Sequence, residues 1–248
     1  MNLLLLDATE LRDGEATLTD RRAEHVRTVL RAEAGATLRA GIVGGAIGDA
    51  TIIGIDPGGL RVRFAPRVAP PQPQPIDLVL AVPRPRVLSR VLQTVAAIGV
   101  ARVDLVNAWR VDKSYLSSAR LERARIDEDL RLGAEQGETT HLPEVAVHPR
   151  LMTFLDEHYP ATPAAERRVI AHARGGVDLE VALPPTATGP IVLAIGPEGG
   201  WIEREVETFA ARGFMVARLG APILRVEAAV TAALAQIALL ERLASRRS

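Results

Sequence analysis

The residues best suited to chemistry lie in two glycine-bearing loops near the carboxyl end of the chain. The first loop reads Gly196-Pro197-Glu198-Gly199-Gly200, and the second runs from Gly220 to Glu227. Glu198 and Glu227 are candidate proton acceptors, whereas Arg225 stays protonated and can only stabilise negative charge. Backbone amides in such loops can also hold the base edge or the ribose of a nucleotide. The two loops therefore indicate a ligand site with carboxylates and a guanidinium available.

Each loop follows a predicted β-strand. Residues 190–195 form an unbroken apolar run, which is typical of a strand buried on both faces of a parallel sheet. An amphipathic helix over 202–212 follows the first loop, and residues 214–219 form a second predicted strand. Open α/β sheets bind ligands at the carboxyl ends of their strands. The pattern therefore predicts both loops at one edge of a parallel sheet, on neighbouring strands.

A proline-rich segment over residues 65–75, with prolines at five of eleven positions, divides the chain. Such a segment prefers extended geometry and predicts a linker between a domain over 1–70 and a domain over 76–248. In the second domain strands alternate with helices, including a long charged helix over 117–136. This alternation predicts an α/β fold with a mostly parallel sheet and helices on both faces.

The first domain combines short β-prone segments with one helix. The segments cover 38–43, 50–55 and 60–64, and glycine-rich turns between them predict a small β-barrel. A helix is predicted over 20–31. It carries Arg22, Arg27 and Arg31, which would form either a phosphate-binding stripe or a solvated face.

Composition excludes several classes of site. The chain has no cysteine, so it forms no disulfide, thiolate metal site or cysteine nucleophile. Its five histidines are scattered and predict no metal site, and no Walker loop or nucleophile elbow is present. Thirty basic residues balance thirty acidic ones, so only a local patch could attract a nucleic acid. We expect a soluble cytoplasmic protein without a membrane span, because Glu227, Thr231 and Gln236 interrupt the last apolar stretch.

These residues alone leave an ordinary strand-to-helix turn as an alternative, with Glu198 merely offsetting a helix dipole. The full motifs carry more information. The segments Leu193–Trp201 and Leu219–Ala229 together resemble the paired signature of the RsmE family. Members of this family belong to the SPOUT superfamily and methylate N3 of a uridine in 16S ribosomal RNA. The resemblance extends to 25–31, 81–83, 135–136 and 142–143.

The resemblance implies a trefoil-knotted α/β domain, a PUA-like RNA-binding domain over 1–70, a homodimer, and the small ribosomal subunit as partner. It also implies S-adenosylmethionine (SAM) as cofactor, held by the two loops. Arg225 would stabilise charge on the uracil, while Glu198 or Glu227 accepts the proton or orients the base. The residues that would bind the cofactor are Ile195, Gly196, Pro197, Glu198, Gly199, Gly200, Leu219, Gly220, Ile223 and Leu224.

The chain departs from the family pattern at five positions, which are Thr94, Ala97, Gly137, Thr139 and Val226. The departures put the target uridine in doubt more than the chemistry. Two alternatives are a catalytically silent RNA-binding relative and a methyltransferase with another RNA target. A third is an α/β enzyme that binds a small nucleotide. The alanine-rich surface of the last helix, over 227–244, is either a subunit interface or part of a monomer core.

Overall fold

The computed structural model describes residues 1–161, 166–184, 186–187 and 189–246. Contacts divide the chain into two compact units, each with its own sheet. The first unit contains Met1–Pro73 and also Val95–Gly99 and Glu128–Leu142. The second contains Gln74–Thr94, Val100–Asp127 and Pro143–Ser248. The division therefore differs from a single cut near residue 70, because two later segments join the first unit.

The first unit contains a five-stranded sheet. Its strands are β1 (Leu4–Leu6), β2 (Glu15–Leu18), β3 (Thr37–Ile42), β4 (Ile47–Asp56) and β5 (Gly59–Val68). The order across the sheet is β1-β3-β4-β5-β2, with β1 parallel to β3 and the other neighbours antiparallel. The three predicted strands correspond to β3, β4 and β5, whereas β1 and β2 were not predicted. The core is formed by aliphatic side chains from all five strands, including Leu4, Leu6, Leu18, Ala40, Ile52, Leu60 and Val62.

The proline-rich segment is shorter than predicted, because strands occupy both of its ends. Strand β5 continues through Pro66, which pairs with Gly48 at an irregularity in the register. A Cβ on Gly48 would lie 2.0 Å from the carbonyl oxygen of Ala65, so only glycine permits this approach. The next strand begins at Gln74, which leaves residues 69–73 between the two strands.

The predicted helix over 20–31 is divided in two. Helix α1 (Arg21–His25) is capped by Asp20, whose side chain accepts a hydrogen bond from the backbone N–H of Arg22. A π-helical turn over Val26–Leu30 follows. The segment ends at Arg31, which adopts a left-handed conformation with φ of 51°.

The second unit contains a seven-stranded sheet in which every pair of neighbours is parallel. Its strands are β6 (Gln74–Ala81), β7 (Val100–Val106), β8 (Glu144–His148), β9 (Arg167–Ala171), β10 (Val177–Asp178), β11 (Ile191–Ile195) and β12 (Met215–Arg218). The order is β10-β12-β9-β11-β6-β7-β8. The predicted α/β class with a parallel sheet is thus confirmed.

Within the described residues seven further helices follow α1, and one prediction among them needs correction. Their bounds are α2 (Pro85–Ile98), α3 (Lys113–Leu116), α4 (Arg123–Gly137), α5 (Leu151–His158), α6 (Leu179–Ala182), α7 (Glu203–Ala210) and α8 (Val226–Ser245). The long helix predicted over 117–136 begins only at Arg123. Ser118 caps a separate short 3-10 turn before it, because its side chain accepts a hydrogen bond from the backbone N–H of Arg120.

The strand that precedes the first glycine loop lies in the middle of the sheet. All five residues of β11 are buried, and β11 pairs with β9 on one side and β6 on the other. The prediction that the two loops follow neighbouring strands is wrong, because β9 lies between β11 and β12. The connection from β11 through α7 to β12 therefore skips one strand of the sheet, β9. The two loops therefore start about 10 Å apart, which leaves space between them.

Helix α8 packs against β11 through one face, on which Val230, Leu234 and Ile237 are buried. By length and composition alone this helix is apolar enough to cross a membrane, and 22% of its most apolar window is buried. Core helices of soluble proteins satisfy the same criterion. Its exposed apolar side chains include Leu239 and Leu243.

Candidate functional site

A cavity of about 800 Å³ lies at the carboxyl edge of the parallel sheet, within the second unit. The loops after β11 and β12 form two of its walls, and residues 171–174 after β9 form a third. All ten residues predicted to bind a cofactor line this one cavity, and so do Arg225 and Glu227. Residues more than twenty positions apart in the chain are thus brought together by the sheet.

The first glycine loop is shaped by contact with Trp201. A Cβ on Gly196 would lie 3.1 Å from both the backbone nitrogen and the indole Nε1 of Trp201. Gly200 has φ of +71°, and its N–H closes a turn by donating to the carbonyl of Pro197. Trp201 is 3% exposed and lines the cavity, yet its Nε1–H has no hydrogen-bond acceptor among the described residues. A buried donor of this kind costs free energy unless a ligand satisfies it.

Two contacts fix the first loop to neighbouring parts of the sheet edge. The Oε1 of Glu198 accepts a hydrogen bond from the backbone N–H of Arg84, just before α2, at 3.0 Å. The Nη1 of Arg110, in the loop after β7, donates to the carbonyl of Gly199 at 2.5 Å. Glu198 therefore has one carboxylate oxygen engaged in holding the loop.

The second loop is anchored to the helix that follows it. The Nε2 of Gln236, on α8, donates to the carbonyl of Leu219 at 3.0 Å. Gly220 has φ of +146°, a conformation that favours glycine. Ile223 is 66% exposed although it lines the cavity, so this loop presents apolar surface to any ligand.

Arg225 and Glu227 lie where the second loop enters α8. Arg225 is the exposed N-cap residue of α8, and Glu227 lies in its first turn. Among the residues that the structure describes, neither side chain takes part in an ion pair, so they do not form the structural pair that their spacing also permits. Both charges are available to a ligand in the cavity.

An ion pair stabilises the edge of the sheet next to this loop. The guanidinium of Arg218, at the end of β12, hydrogen-bonds to both carboxylate oxygens of Asp178 in β10. This hydrogen bonding lowers the pKa of the Asp178 carboxyl below its usual value. The pair thus holds the last residue of β12, immediately before Leu219.

Several residues of the cavity were not identified from the sequence. His172 and Arg174 belong to the wall that follows β9, and Arg84 and Arg110 come from the ends of β6 and β7. Four arginines (Arg84, Arg110, Arg174 and Arg225) thus line the cavity with two glutamates, Glu198 and Glu227. A positively charged rim favours an anionic ligand. The only available sequence signal was that each residue closely follows an apolar strand.

The three arginines predicted to contact RNA differ in their surroundings. Arg22 is buried and forms ion pairs with Glu10 and Asp20. Burial lowers the pKa of Arg22, but its hydrogen bonds to these two acids outweigh that effect and raise it overall. Arg27 is exposed and pairs with Glu24, one turn away on the same segment, and Arg31 is also exposed. Only Arg27 and Arg31 are therefore accessible.

Four of the five departures from the family pattern lie outside the lining of the cavity, whereas Val226 is part of it. At Gly137 a Cβ would lie 2.2 Å from the carbonyl oxygen of Ala97, so only glycine permits this approach of the two backbones. Thr139 is buried and its hydroxyl accepts a hydrogen bond from the backbone N–H of His141. Thr94 bonds to the carbonyl of Arg90 one turn earlier.

Glu135, another residue of the resemblance, has a structural role in the first unit. It is buried, and its carboxylate receives two hydrogen bonds from Arg21, at 2.8 and 2.7 Å. Its carbonyl also accepts from the backbone N–H groups of Asn2 and Leu3. Over the described ranges, no group of three or more His, Asp or Glu side chains is arranged to hold a metal ion.

Comparison with known proteins adds independent findings. A family described as an RNA methyltransferase domain matches residues 70–238. A relative from Treponema pallidum, named ribosomal RNA small subunit methyltransferase E, is 31% identical over 243 residues. The match covers 96% of this chain and 90% of that relative.

Solved structures share the fold across nearly the whole chain. A ribosomal RNA small subunit methyltransferase E from Neisseria gonorrhoeae, bound to SAM, superposes with a TM-score of 0.79. It is 23% identical, and the match covers 97% of this chain and 98% of that one. A Legionella pneumophila protein, assigned as a methyltransferase and solved with SAM, gives a TM-score of 0.75 at 24% identity. That match covers 98% of this chain and 97% of the other.

Proposed function

The chain belongs to the ribosomal RNA small subunit methyltransferase E (RsmE) family, and we propose that it methylates N3 of a uridine in 16S rRNA. Membership makes it a SAM-dependent rRNA methyltransferase. The observation that carries the proposal is the single cavity at the sheet edge, where the ten residues of the two loops meet Arg225 and Glu227.

The residues around the cavity fit SAM. A volume of about 800 Å³ lies within the range of about 300–1,000 Å³ usual for small-molecule sites. The unsatisfied Nε1–H of Trp201 offers a buried hydrogen-bond donor, and Gly200, whose Cβ position is open, lets a ligand approach the backbone closely. We propose that the two loops hold the adenosyl part. When bound, SAM supplies an electrophilic methyl group on a sulfonium.

The protein's own residues would prepare the uracil. Methylation forms a bond to N3 and requires loss of the imide proton, so negative charge spreads onto the neighbouring carbonyl oxygens. Arg225, exposed at the cavity and free of an ion pair among the described residues, would donate hydrogen bonds to such an oxygen. Glu227 would accept the proton. Glu198 would instead hold the first loop in position through Arg84.

Several finer features of the family extend the proposal. The first unit would act as a PUA-like RNA-binding domain, with Arg27 and Arg31 contacting phosphates. The second would contain a trefoil knot. The chain leaves β11, pairs as β12 beyond β9, and returns to pack α8 against β11, which supports a knotted path. The enzyme would work in the cytoplasm, on the small ribosomal subunit.

A homodimer is also part of the proposal. Helix α8 exposes Leu239 and Leu243 together with several alanines, although its opposite face is buried. A helix that is apolar on its solvent side as well as its buried side is suited to pack against another copy of the chain.

Mass spectrometry of nucleosides tests the proposed reaction. Cells with and without the chain are compared for N3-methyluridine in 16S rRNA, and the purified protein is then incubated with SAM and unmethylated small subunits. We expect the modified nucleoside only where the protein is present. Methylation at another atom or on another RNA would contradict the proposed target. RNA binding without transfer of labelled methyl would indicate the silent relative.

A further inference from the structure

An exposed tryptophan side chain precedes a residue of the cavity lining, Arg110. Trp109 lies in the loop after β7 and is 79% exposed, whereas Trp201, the only other tryptophan, is buried. An exposed indole leaves a large flat apolar face in water, and such faces are enriched where macromolecules bind. Trp109 has no role in the core of its unit, so its exposure needs another explanation.

The backbone under this side chain is fixed, although the indole is not covered. The N–H of Trp109 donates to Oε1 of Glu205 at 2.8 Å, and Glu205 is buried. The other oxygen of Glu205 accepts from the N–H of Ile202 at the start of α7. The next residue, Arg110, donates to the carbonyl of Gly199. The loop after β7 is therefore attached at two points, to Gly199 between β11 and α7 and to Glu205 in the first turn of α7.

The residue that follows Trp109 in the chain is an arginine of the cavity lining. Arg110 lines the cavity together with Arg84, and Arg86 is exposed in the first turn of α2. In the part of the chain that the structure describes, the Arg86 side chain forms no ion pair. The nearest acid in the same loop, Asp112, is engaged by the hydroxyl and the N–H of Ser114. A fixed aromatic face next to guanidinium groups matches the chemistry of single-stranded RNA.

We propose that Trp109 is a stacking platform for the rRNA base next to the target nucleotide, with Arg84 and Arg110 at the adjoining phosphates. The inference rests on the proposed function, because it takes RNA as the substrate. A base that enters a cavity must leave its stack, and its neighbour then loses a stacking partner. The indole of Trp109 would replace that stacking partner and position the RNA strand over the cavity. Trp109 is thus a positioning residue and does not contact the reacting atoms.

Steady-state kinetics with Trp109→Ala and Trp109→Phe test this role. Stacking contributes enough that we expect Trp109→Ala to raise the KM for small subunits about 5- to 150-fold. The kcat and the Kd for SAM should stay near the wild-type values. Trp109→Phe keeps an aromatic face and should remain within about threefold of wild type. Val181→Ala, which removes an exposed apolar side chain outside the cavity lining, is the matched control and should change neither constant.

Acrylamide quenching of the unmodified protein provides a second measurement that needs no variant. Acrylamide reaches the exposed Trp109 and hardly reaches Trp201. We expect an rRNA fragment that contains the target to reduce the fraction of tryptophan fluorescence that acrylamide quenches. SAM alone should leave that fraction unchanged.

The outcomes separate this inference from the proposed function. If the wild type transfers no methyl group to rRNA, the proposed function fails. If the wild type is active but Trp109→Ala has an unchanged KM, or bound RNA leaves Trp109 fully quenchable, the stacking role fails. A loss of SAM binding in Trp109→Ala would also contradict it, because the indole would then be supporting the glycine loop.

Discussion

The carboxylate of Glu198 accepts a hydrogen bond from the backbone N–H of Arg84, with 3.0 Å between Oε1 and N. The two residues are 114 positions apart in the chain, and the bond joins the loop after β11 to the residue before α2. The carboxylate of Glu198 thus helps to hold the first loop in place. Among the described residues, the carboxylate of Glu227 accepts no comparable hydrogen bond.

This contact predicts different effects for two substitutions at Glu198. Glu198→Gln keeps an acceptor for the Arg84 N–H, so SAM affinity and turnover should stay close to wild type. Glu198→Ala removes the acceptor, and loss of one such hydrogen bond should weaken SAM binding about threefold to tenfold. Calorimetry with SAM measures both. A large loss of kcat in Glu198→Gln, with normal SAM binding, would instead identify Glu198 as the general base.

Arg225→Ala should abolish most turnover while SAM still binds. Removal of one donor to a developing oxyanion usually lowers kcat by about 10²–10³, and Arg225 is an exposed residue whose loss should leave the fold intact. Methyl transfer to small subunits and calorimetric SAM affinity are measured together. Arg225→Lys keeps the charge without the planar fork and should retain intermediate activity. N3-methyluridine formation at the wild-type rate in Arg225→Ala would exclude the proposed role.

Glu227→Gln should remove general-base catalysis, with a fall in kcat of about 10²–10⁴. The amide has nearly the same shape, so the start of α8 should be preserved. Methyl transfer to small subunits gives kcat, and calorimetry gives the SAM affinity, which should stay at the wild-type value. Circular dichroism checks the fold of each protein. A kcat at the wild-type value in Glu227→Gln would show that another group accepts the proton.

Gly196→Val should weaken SAM binding at least about tenfold, because the added side chain meets Trp201. Even a Cβ at this position lies 3.1 Å from the backbone nitrogen and from Nε1 of Trp201, so the loop has to move. Gly213→Ala is the control, since Gly213 has φ of +79° and lies outside the cavity lining. That change should lower the free energy of unfolding by about 1 kcal/mol without altering SAM affinity. Equal SAM affinities for Gly196→Val and wild type would mean that the loop does not contact the cofactor.

Leu239→Glu should convert the proposed dimer to a monomer. The side chain is exposed on α8, so a charge there is tolerated in a monomer but costs free energy at an apolar interface. Light scattering gives the mass in solution, and Met152→Glu, on the exposed side of α5, serves as the control. A wild-type monomer at assay concentration, or a dimer that persists in Leu239→Glu, would exclude this interface.

Local patterns in the sequence determined much of the second unit. The apolar run predicted over 190–195 is buried as β11 (Ile191–Ile195), and the helix predicted over 202–212 is present as α7 (Glu203–Ala210). Both loops could be recognised from their glycine-rich motifs, because backbone conformations such as φ of +146° at Gly220 strongly favour glycine. Burial periodicity and turn chemistry depend on neighbours a few positions away, so they can be recognised without knowledge of the fold.

Tertiary structure decided which residues share the cavity. Strand β9 lies between β11 and β12, and this order brings His172 and Arg174 to the site. Pairing between strands distant in sequence also delivers Arg84 and Arg110, and it places Arg22 inside the first unit with Glu10. No local pattern encodes such an order, because the residues of one strand do not identify which strands pair with it. The sequence therefore determined the loops and their chemistry, and only long-range packing determined their partners.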